Sequence, residues 1–442
     1  MSSSEAAPAP ATPLPPQPSL QVVPNIPRRG RALVAARAIK PGEVLLVDSP
    51  LLLYPNLDVA ADSASSSSSS SYCAHCYRTL PSGGPSFPCL GCSGHARFCS
   101  DTCRTLGAAC SHTPWVCRAL SILHATAPHL PPPLDHHPEA LSQAAFLIAA
   151  YNLSAISPDG FVDLLSLQGG ATPEHAALAL HFLVASLSPV PTGPAGFSPE
   201  LTASLLAKDK MNAFGLMEPA TGGTGERRVR AYGIYPKASF FNHDCLPNAC
   251  RFDYIDGAVV GGRNADIVVR SIHDIPEGRE VCLSYFPVNW GYKERQRRLL
   301  EDYGFTCECD RCMVEKTWKD EEDELEEEAM DDEEMEGGEA GGEDEGMGGM
   351  EDGDFPHAYF FMRYMCQRES CGGTLAPLAL SAQSVVSDVM ECNVCGRLSR
   401  GDDPDTDPGS ACLQLEANPI LIECGLSSLR DPVMSSLVYV SM

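Results

Sequence analysis

The stretch "SFFNHDCLPNACRFDY", Ser239 to Tyr254, sets one histidine, two asparagines and two cysteines around Leu246-Pro247. Three readings compete for it: a catalytic loop, a metal site, or a polar turn ahead of a strand. The rest of the chain decides among them.

Downstream, "TCECDRC" places Cys307, Cys309 and Cys312 at chelating spacing. Three thiols leave a tetrahedral zinc ion one ligand short. Cys245, inside the opening stretch, is the natural donor, with Cys282, Cys250 or water as alternatives. Upstream come four successive ligand pairs, Cys73-x2-Cys76, Cys89-x2-Cys92, Cys99-x3-Cys103 and His112-x4-Cys117, which suit two zinc ions. Phe87, Phe98 and Trp115 are the main large apolar residues there, too few to fold so short a segment without metal. Cys110 is the spare thiol, close enough to His112 to compete. A last set, Cys366-x4-Cys371 with Cys392-x2-Cys395 beside Gly372-Gly373 and Gly396, resembles two zinc-ribbon knuckles and implies a fourth ion. Free buried cysteines are the alternative. Cys412 and Cys424 stand alone in apolar sequence and read as core.

The chemistry of these thiols depends on redox setting. Met1 to Leu20 is a Ser/Ala/Pro stretch with neither the basic start nor the apolar run of a secretory signal, so a nuclear or cytoplasmic protein is expected. Reducing conditions there favour zinc over disulfides. "AALALHFLVASL", Ala176 to Leu187, is the longest apolar stretch and is too short to span a bilayer.

The chain has 442 residues, enough for two or three folding units. Its formal charge of -27 is local in origin: Asp320 to Asp354 holds twenty acids and no Lys or Arg, and the remainder carries only -7. That run reads as a solvated disordered loop, or as an attractor of basic, lysine-rich substrates. The finger segment 72 to 118 is near neutral once seven thiolates and two zinc ions are counted, which weakens a DNA-backbone role and favours protein binding.

Residues 1 to 20 and the tract Ser63 to Ser71 have linker composition. "GRALVAARAIKPGEVLLVDSPLLL", Gly30 to Leu53, predicts two or three short strands around the Lys40-Pro41-Gly42 turn. Helices are expected at 118–127 and 138–153, and after the capping signals Thr172-Pro173-Glu174 and Ser198-Pro199-Glu200. Strand signals return at 228–240, 250–262, 266–271 and 276–286, and "GYKERQRRLLEDYGF" predicts a basic helix ending at Gly304.

Four motifs now stand in order: "RRGRALVA" (Arg28 to Ala35), "NHDCLPN" (Asn242 to Asn248), "EGREVCLSY" (Glu277 to Tyr285) and "YGFTCECDRC" (Tyr303 to Cys312). Together they resemble the SET-domain lysine methyltransferases, over roughly residues 20 to 315. The eight-ligand cluster looks like a MYND zinc finger, so the chain is similar to the SET-and-MYND branch. The resemblance implies a mainly β SET domain of short sheets with a pseudoknot, interrupted by the finger and a helical insert. The expected segments are 21–60 and 211–300 for the SET parts, 72–118 for the finger and 119–210 for the insert. A post-SET zinc segment at 301–316, an acidic loop at 317–355 and a C-terminal segment at 356–442 follow.

The same resemblance implies S-adenosylmethionine as cofactor and a lysine-bearing protein, such as a histone tail, as substrate. A free lysine has a pKa near 10.4, so presenting the neutral amine at pH 7 costs about 4–5 kcal/mol. A narrow apolar channel lowers that cost, and a fixed phenol orients the amine. Tyr285 matches the tyrosine beside the transferring methyl group, and Tyr303 and Phe305 match aromatic residues that wall the channel and stack near the adenine. Asn242 and His243 match cofactor contacts; Arg29, Gly30 and Arg31 match the turn around its methionine end. Asn212 and Ser239 match further cofactor-side positions.

The chain departs from the family pattern at Ala32, where a second glycine is common, and at Gly278-Arg279-Glu280-Val281, where paired glutamates are common. In the finger, the His112 to Cys117 spacing is one residue longer than the usual pattern, and Trp115 follows the histidine instead of preceding it. The rival expectation is an adaptor whose finger recruits proline-containing segments, with weak or absent methyl transfer.

Overall fold

The computed structural model describes residues 18–57, 71–218, 228–257, 264–318 and 357–400, apart from positions 82, 85, 93, 131, 171–173, 192, 194, 370 and 381–384. The acidic run, most of the serine tract, Cys412 and Cys424 lie outside the described residues.

Strands β1 (Leu20–Ile26) and β2 (Gly30–Ala35) form an antiparallel hairpin. Its tight turn holds Arg28 and Gly30 at φ 66° and 70°. Glycine takes that left-handed conformation freely, whereas arginine does so at a cost of about 1–2 kcal/mol. Ser19 and Leu20, expected within a disordered terminus, belong to this hairpin: Leu20 pairs with Ala35, and Ser19 Oγ donates to Glu43 Oε1 at 2.9 Å.

After β3 (Val44–Asp48) and β4 (Leu52–Pro55) comes the cysteine-rich segment. Two short pairs, β5 (Ser71–Tyr72) with β6 (Thr79–Leu80) and β7 (Phe87–Pro88) with β8 (Arg97–Phe98), precede helices α1 (Asp101–Ala109) and α2 (Pro114–Thr126). Ser71 is thus a strand residue and not linker. Ser100 caps α1 by accepting from the Cys103 N–H at 3.0 Å, and Thr113 caps α2 ahead of Pro114. Gly107 lets α1 lie against Phe98, where an added Cβ would stand 2.7 Å from the ring.

The helical insert consists of α3 (Ala140–Ile156), α4 (Pro158–Ser166), α5 (Glu174–Leu187) and α6 (Pro199–Asn212). Helix α3 is apolar nearly all round and therefore sits at the centre. Its Phe146, Leu147 and Tyr151 are buried in one cluster with Leu123, Leu180 and Leu205. Tyr54 and Tyr232 extend that cluster onto a sheet. Ser198 caps α6, accepting from the Leu201 N–H at 3.2 Å; Thr172 lies outside the described residues. Helix α4 goes beyond the expected set, although Ser157-Pro158-Asp159 carries the same hydroxyl, proline and acid signature. His181 is a satisfied core histidine, its Nδ1 2.9 Å from Thr202 Oγ1.

The chain then returns to strands: β9 (Ala213–Met217), β10 (Val229–Ile234), β11 (Asn242–His243), β12 (Ala249–Asp253), β13 (Ile267–Ser271) and β14 (Cys282–Leu283). Two three-stranded antiparallel sheets result, ordered β4-β10-β9 and β12-β13-β3. The strand expected over 228–240 stops at Ile234. Pro236 has no N–H to offer, and the Asp48 carboxylate accepts from Lys237 N and Ala238 N at 2.8 and 2.9 Å, turning the chain into a 3-10 turn at Ala238–Phe240. The strand expected over 250–262 ends at Asp253, where Gly257 N–H closes a turn on Tyr254 O at 2.8 Å.

Helix α7 (Tyr292–Arg298) runs into a π turn, Leu299–Tyr303, that ends at Gly304 with φ 74°. Next are α8 (Asp310–Glu315), α9 (Ala358–Tyr364) and a ribbon of β15 (Leu375–Pro377), β16 (Val389–Cys392) and β17 (Leu398–Arg400).

Candidate active site

Residues 278–283 run between β2 and β11. On one side Ala35 N donates to Arg279 O at 2.9 Å and Val281 N to Leu33 O at 2.8 Å. On the other, β14 pairs in parallel with β11, and Asp244 N donates to Leu283 O at 2.9 Å. This is why only Cys282–Leu283 of the expected 276–286 strand is strand: the neighbouring residues bond to a different partner. Asn248 fastens the crossing, donating through Nδ2 to Glu280 O and accepting at Oδ1 from Cys282 N, both at 2.8 Å. The opening stretch is thereby laid beside the Arg29–Arg31 turn.

Glu280 is the hub of that junction. Its Oε2 lies 2.6 Å from Arg29 Nε, and its Oε1 accepts from Asn242 Nδ2 at 2.8 Å. The same Asn242 amide reaches the carbonyls of Arg29 and Arg31 at 3.3 and 3.2 Å. Arg29 Nη2 donates to His243 O at 2.7 Å and to Cys282 Sγ at 3.2 Å. The turn, the loop and the 278–283 segment are therefore one hydrogen-bonded unit. Arg31 leaves it to stack on Phe240, 3.8 Å from the ring centre, while Gly30 is exposed, with open space where a Cβ would be. The Ala32 methyl is fully buried within β2.

His243 is buried and neutral, and burial pushes its pKa down to about 3. Tyr285 Oη donates to Phe241 O at 2.9 Å. The Tyr285 and Tyr303 rings are 4.8 Å apart between centroids, and Phe305 stands edge-on to Tyr303 at 6.4 Å. Burial raises both phenol pKa values, so neither tyrosine is an anion near neutral pH. Tyr303 Oη is buried and has no hydrogen-bond partner among the described residues. Such a group costs about 1–3 kcal/mol until a partner arrives.

The remaining sequence-selected positions are held differently. Ser239 Oγ donates to Tyr235 O at 2.9 Å, inside the 3-10 turn. Asn212 closes α6, and its amide nitrogen donates to Gln168 O and Lys208 O, both at 2.7 Å. None of its described hydrogen bonds reaches the Arg29–Asn242 unit.

Four groups of donor atoms gather among the described residues, each with all its members within 4.8 Å of one another. In the cysteine-rich segment the pairs interleave: Cys73, Cys76, Cys99 and Cys103 form one group, and Cys89, Cys92, His112 and Cys117 the other. Cys110 joins neither; its thiol donates to Leu106 O at 2.9 Å. The third group is Cys245, Cys307, Cys309 and Cys312, and the fourth is Cys366, Cys371, Cys392 and Cys395. Cys250 and Cys282 are buried elsewhere. The first knuckle is docked on the sheets through Arg230, which donates to Tyr77 O at 3.0 Å and to Asp256 Oδ2 at 2.7 Å.

Two arginines beside the third group were not legible as site residues. Arg295 is fully buried, with Nε 3.2 Å from Cys245 Sγ and Nη2 2.6 Å from Glu315 Oε2. Arg311 donates to Glu315 Oε1 at 2.5 Å and to Val288 O at 2.7 Å. In "KERQRR" Arg295 looks like one cation of a solvated helix face; the i,i+4 spacing of Arg311 and Glu315 was the one available signal. Four thiolates around a divalent ion carry a net -2; the two buried guanidinium groups and the Glu315 carboxylate that they share add +1 and offset half of it.

A SET domain model matches residues 30–286. The histone-lysine N-methyltransferase ASHR2 of Arabidopsis thaliana is 52% identical over 392 residues, covering 85% of this chain and 94% of its own. A SET and MYND domain-containing protein of Dictyostelium discoideum is 30% identical over 115 residues, 26% of this chain and 20% of its own. Among solved structures, the SET domain of LSMT bound to lysine and AdoHcy is 13% identical with a TM-score of 0.28, covering 66% of this chain and 54% of that one. From the matched domain and the similarity to ASHR2 along most of its length, the chain belongs to the SET-domain family.

Proposed function

We propose that this chain is an S-adenosylmethionine-dependent protein-lysine N-methyltransferase, acting on histone or other protein lysines in the nucleus or cytoplasm. The observation that carries this reading is the pair of tyrosines 4.8 Å apart beside the Glu280 hub, one of them with a buried hydroxyl that has no partner among the described residues.

The residues fit a cofactor of this kind. Arg29, Gly30, Arg31, Asn242 and His243 would hold it: the exposed Gly30 backbone leaves room for close approach, and the Asn242 amide is fixed by Glu280. Aromatic faces at Tyr285, Tyr303 and Phe305 favour a cationic centre. When bound, S-adenosylmethionine supplies an electrophilic methyl group. The chain's own part is alignment and exclusion of water. Tyr285 Oη, anchored on Phe241 O, orients the incoming amine; the Tyr303 hydroxyl, without a partner among the described residues, can bond to it as well. The apolar walls favour the neutral amine by desolvation.

The cysteine-rich segment is read as a MYND finger holding two zinc ions on its interleaved groups, and the Cys245 group as the post-SET zinc site. Leu90, 88% exposed at the tip of the second knuckle, supports binding of proline-containing protein segments there. Calorimetric titration with the cofactor, followed by a search for methyl-lysine in proteins incubated with the enzyme and labelled cofactor, tests the reading. Tight binding without any methyl-lysine would favour the adaptor.

A further inference from the structure

The fourth thiol group lies outside both the finger and the post-SET site. Cys366 and Cys395 Sγ are 3.7 Å apart, and Cys371 and Cys392 Sγ are 3.6 Å apart. A zinc ion with Zn–S bonds of about 2.3 Å sets its sulfurs about 3.8 Å apart in a tetrahedron, whereas a disulfide needs about 2.05 Å. The backbone is shaped for a thiolate as well. Val394 N and Cys395 N both point at Cys392 Sγ at 3.4 Å, as Gly91 N and Ala96 N point at Cys89 and Cys92 Sγ at 3.3 Å in the finger. Each knuckle ends on a left-handed glycine, Gly372 at φ 58° and Gly396 at φ 69°. At Gly373 an added Cβ would stand 2.5 Å from Cys392 Sγ.

The ribbon that carries these thiols is packed on the SET core. Ala376 of β15 is fully buried in one cluster with Phe252 and Val268 of β12 and β13. Glu391 of β16 accepts from Arg270 at 2.7 Å and from Tyr254 Oη at 3.0 Å. Beside the first knuckle, Gly372 O accepts from Val288 N at 3.2 Å, and its backbone is so close to Pro287 and Asn289 that a Cβ would meet them at 2.7 and 2.4 Å. Residues 287–290 directly follow Tyr285-Phe286. On their opposite side Arg311 holds Val288 O at 2.7 Å and Arg295 holds Trp290 O at 2.5 Å. The segment is gripped between two cysteine groups.

We propose that Cys366, Cys371, Cys392 and Cys395 hold a fourth zinc ion, and that this ion clamps the C-terminal ribbon onto residues 287–290, fixing the segment that follows Tyr285. The ion itself is independent of the methyltransferase reading; only its importance for methyl transfer rests on that reading. The zinc is structural, closed by four thiolates.

The full chain, purified without chelators, should contain four zinc ions by inductively coupled plasma mass spectrometry. The double variant Cys371→Ser/Cys395→Ser should contain three, and Cys250→Ser, a buried thiol outside the groups, should keep four. Three ions in the wild type, or four in the double variant, would overturn the site. Iodoacetamide should label the quartet only after phenanthroline; labelling before it, or disulfide-linked peptides after it, would also overturn the site. For the clamp, deuterium uptake at residues 286–290 should quicken roughly tenfold or more in the double variant, with uptake around Cys73 to Cys103 unchanged. Unaltered uptake at 286–290 would refute the coupling. Cys395→His, which keeps a zinc donor, should retain four ions and slow exchange, and it replaces the double variant if that fails to fold. Four ions and the exchange change in a protein without methyl transfer would leave the clamp standing and remove the activity.

Discussion

The backbone N–H of Tyr285 donates to His243 Nδ1 at 3.1 Å, so the imidazole proton sits on Nε2, 3.2 Å from Cys245 Sγ. A short chain of contacts therefore runs from the proposed catalytic tyrosine through one neutral histidine to a thiol of the third cysteine group. Hydrogen bonds from a second layer of residues set the orientation and basicity of metal ligands. Here His243 would be that layer for the proposed zinc ligand Cys245, and the Tyr285 backbone orients His243.

Cys245→Ser should therefore disturb both ends. The alcohol is a poor zinc ligand, and the change takes a sulfur partner from Nε of the buried Arg295, which keeps its ion pair with Glu315 at 2.6 Å. Zinc content should fall by one ion per chain and cofactor binding should weaken in the same protein. Unchanged zinc with weakened binding would separate the two.

Glu280→Gln keeps an oxygen for Asn242 but loses the charge that faces Arg29. The amide of Asn242 should stay placed while the Arg29 turn loosens. Cofactor affinity is expected to drop about tenfold, with methyl transfer at saturating cofactor changed much less. Equal loss in both parameters would show that Glu280 acts on the transfer step.

Much of this site is legible in the sequence because its chemistry is local. Cys307, Cys309 and Cys312 stand out as a ligand cluster by spacing alone, and Asn242 to Asn248 stands out by its density of polar groups. The Glu280 hub is not, since it joins residues from three distant segments through side chains that look ordinary in isolation. The interleaving of the four upstream pairs is hidden for the same reason: spacing says which residues pair, not which pairs come together in one group. Among elements, β1 and β9 escape notice because Pro24 interrupts one and the helix cap of α6 runs directly into the other. The strand expected over 228–240 ends early because Asp48, nearly two hundred positions away, captures the N–H groups that would have continued it.

Asp209 gives a pH prediction outside the site. Burial pushes its carboxyl up to about 7, against the pull of the Tyr54 hydroxyl that donates to it at 2.5 Å. A carboxyl whose folded pKa lies above its unfolded value near 3.9 stabilises the fold at low pH, and that stability is lost as pH rises towards 7. Asp209→Asn keeps the acceptor for Tyr54 and removes the ionisation. Its Tm should exceed that of the wild type by about 2–4 °C at pH 8, and the advantage should shrink at pH 5. An advantage that grows in acid would contradict this assignment.

Tyr303→Phe deletes a hydroxyl that has no hydrogen-bond partner among the described residues. The free protein should be as stable as the wild type or about 1–2 kcal/mol more so, measured by urea unfolding, while methyl transfer falls. Destabilisation would mean that the hydroxyl is satisfied within the fold.

Tyr285 is proposed to stand at the methyl-transfer centre. The most direct measurement compares wild type and Tyr285→Phe for incorporation of labelled methyl groups into lysine, by mass spectrometry of substrate proteins, with cofactor affinity measured alongside. Tyr285→Phe should lose about a hundredfold or more in transfer, with cofactor binding within a few-fold of the wild type. Equal labelling of lysine by the two proteins would contradict it.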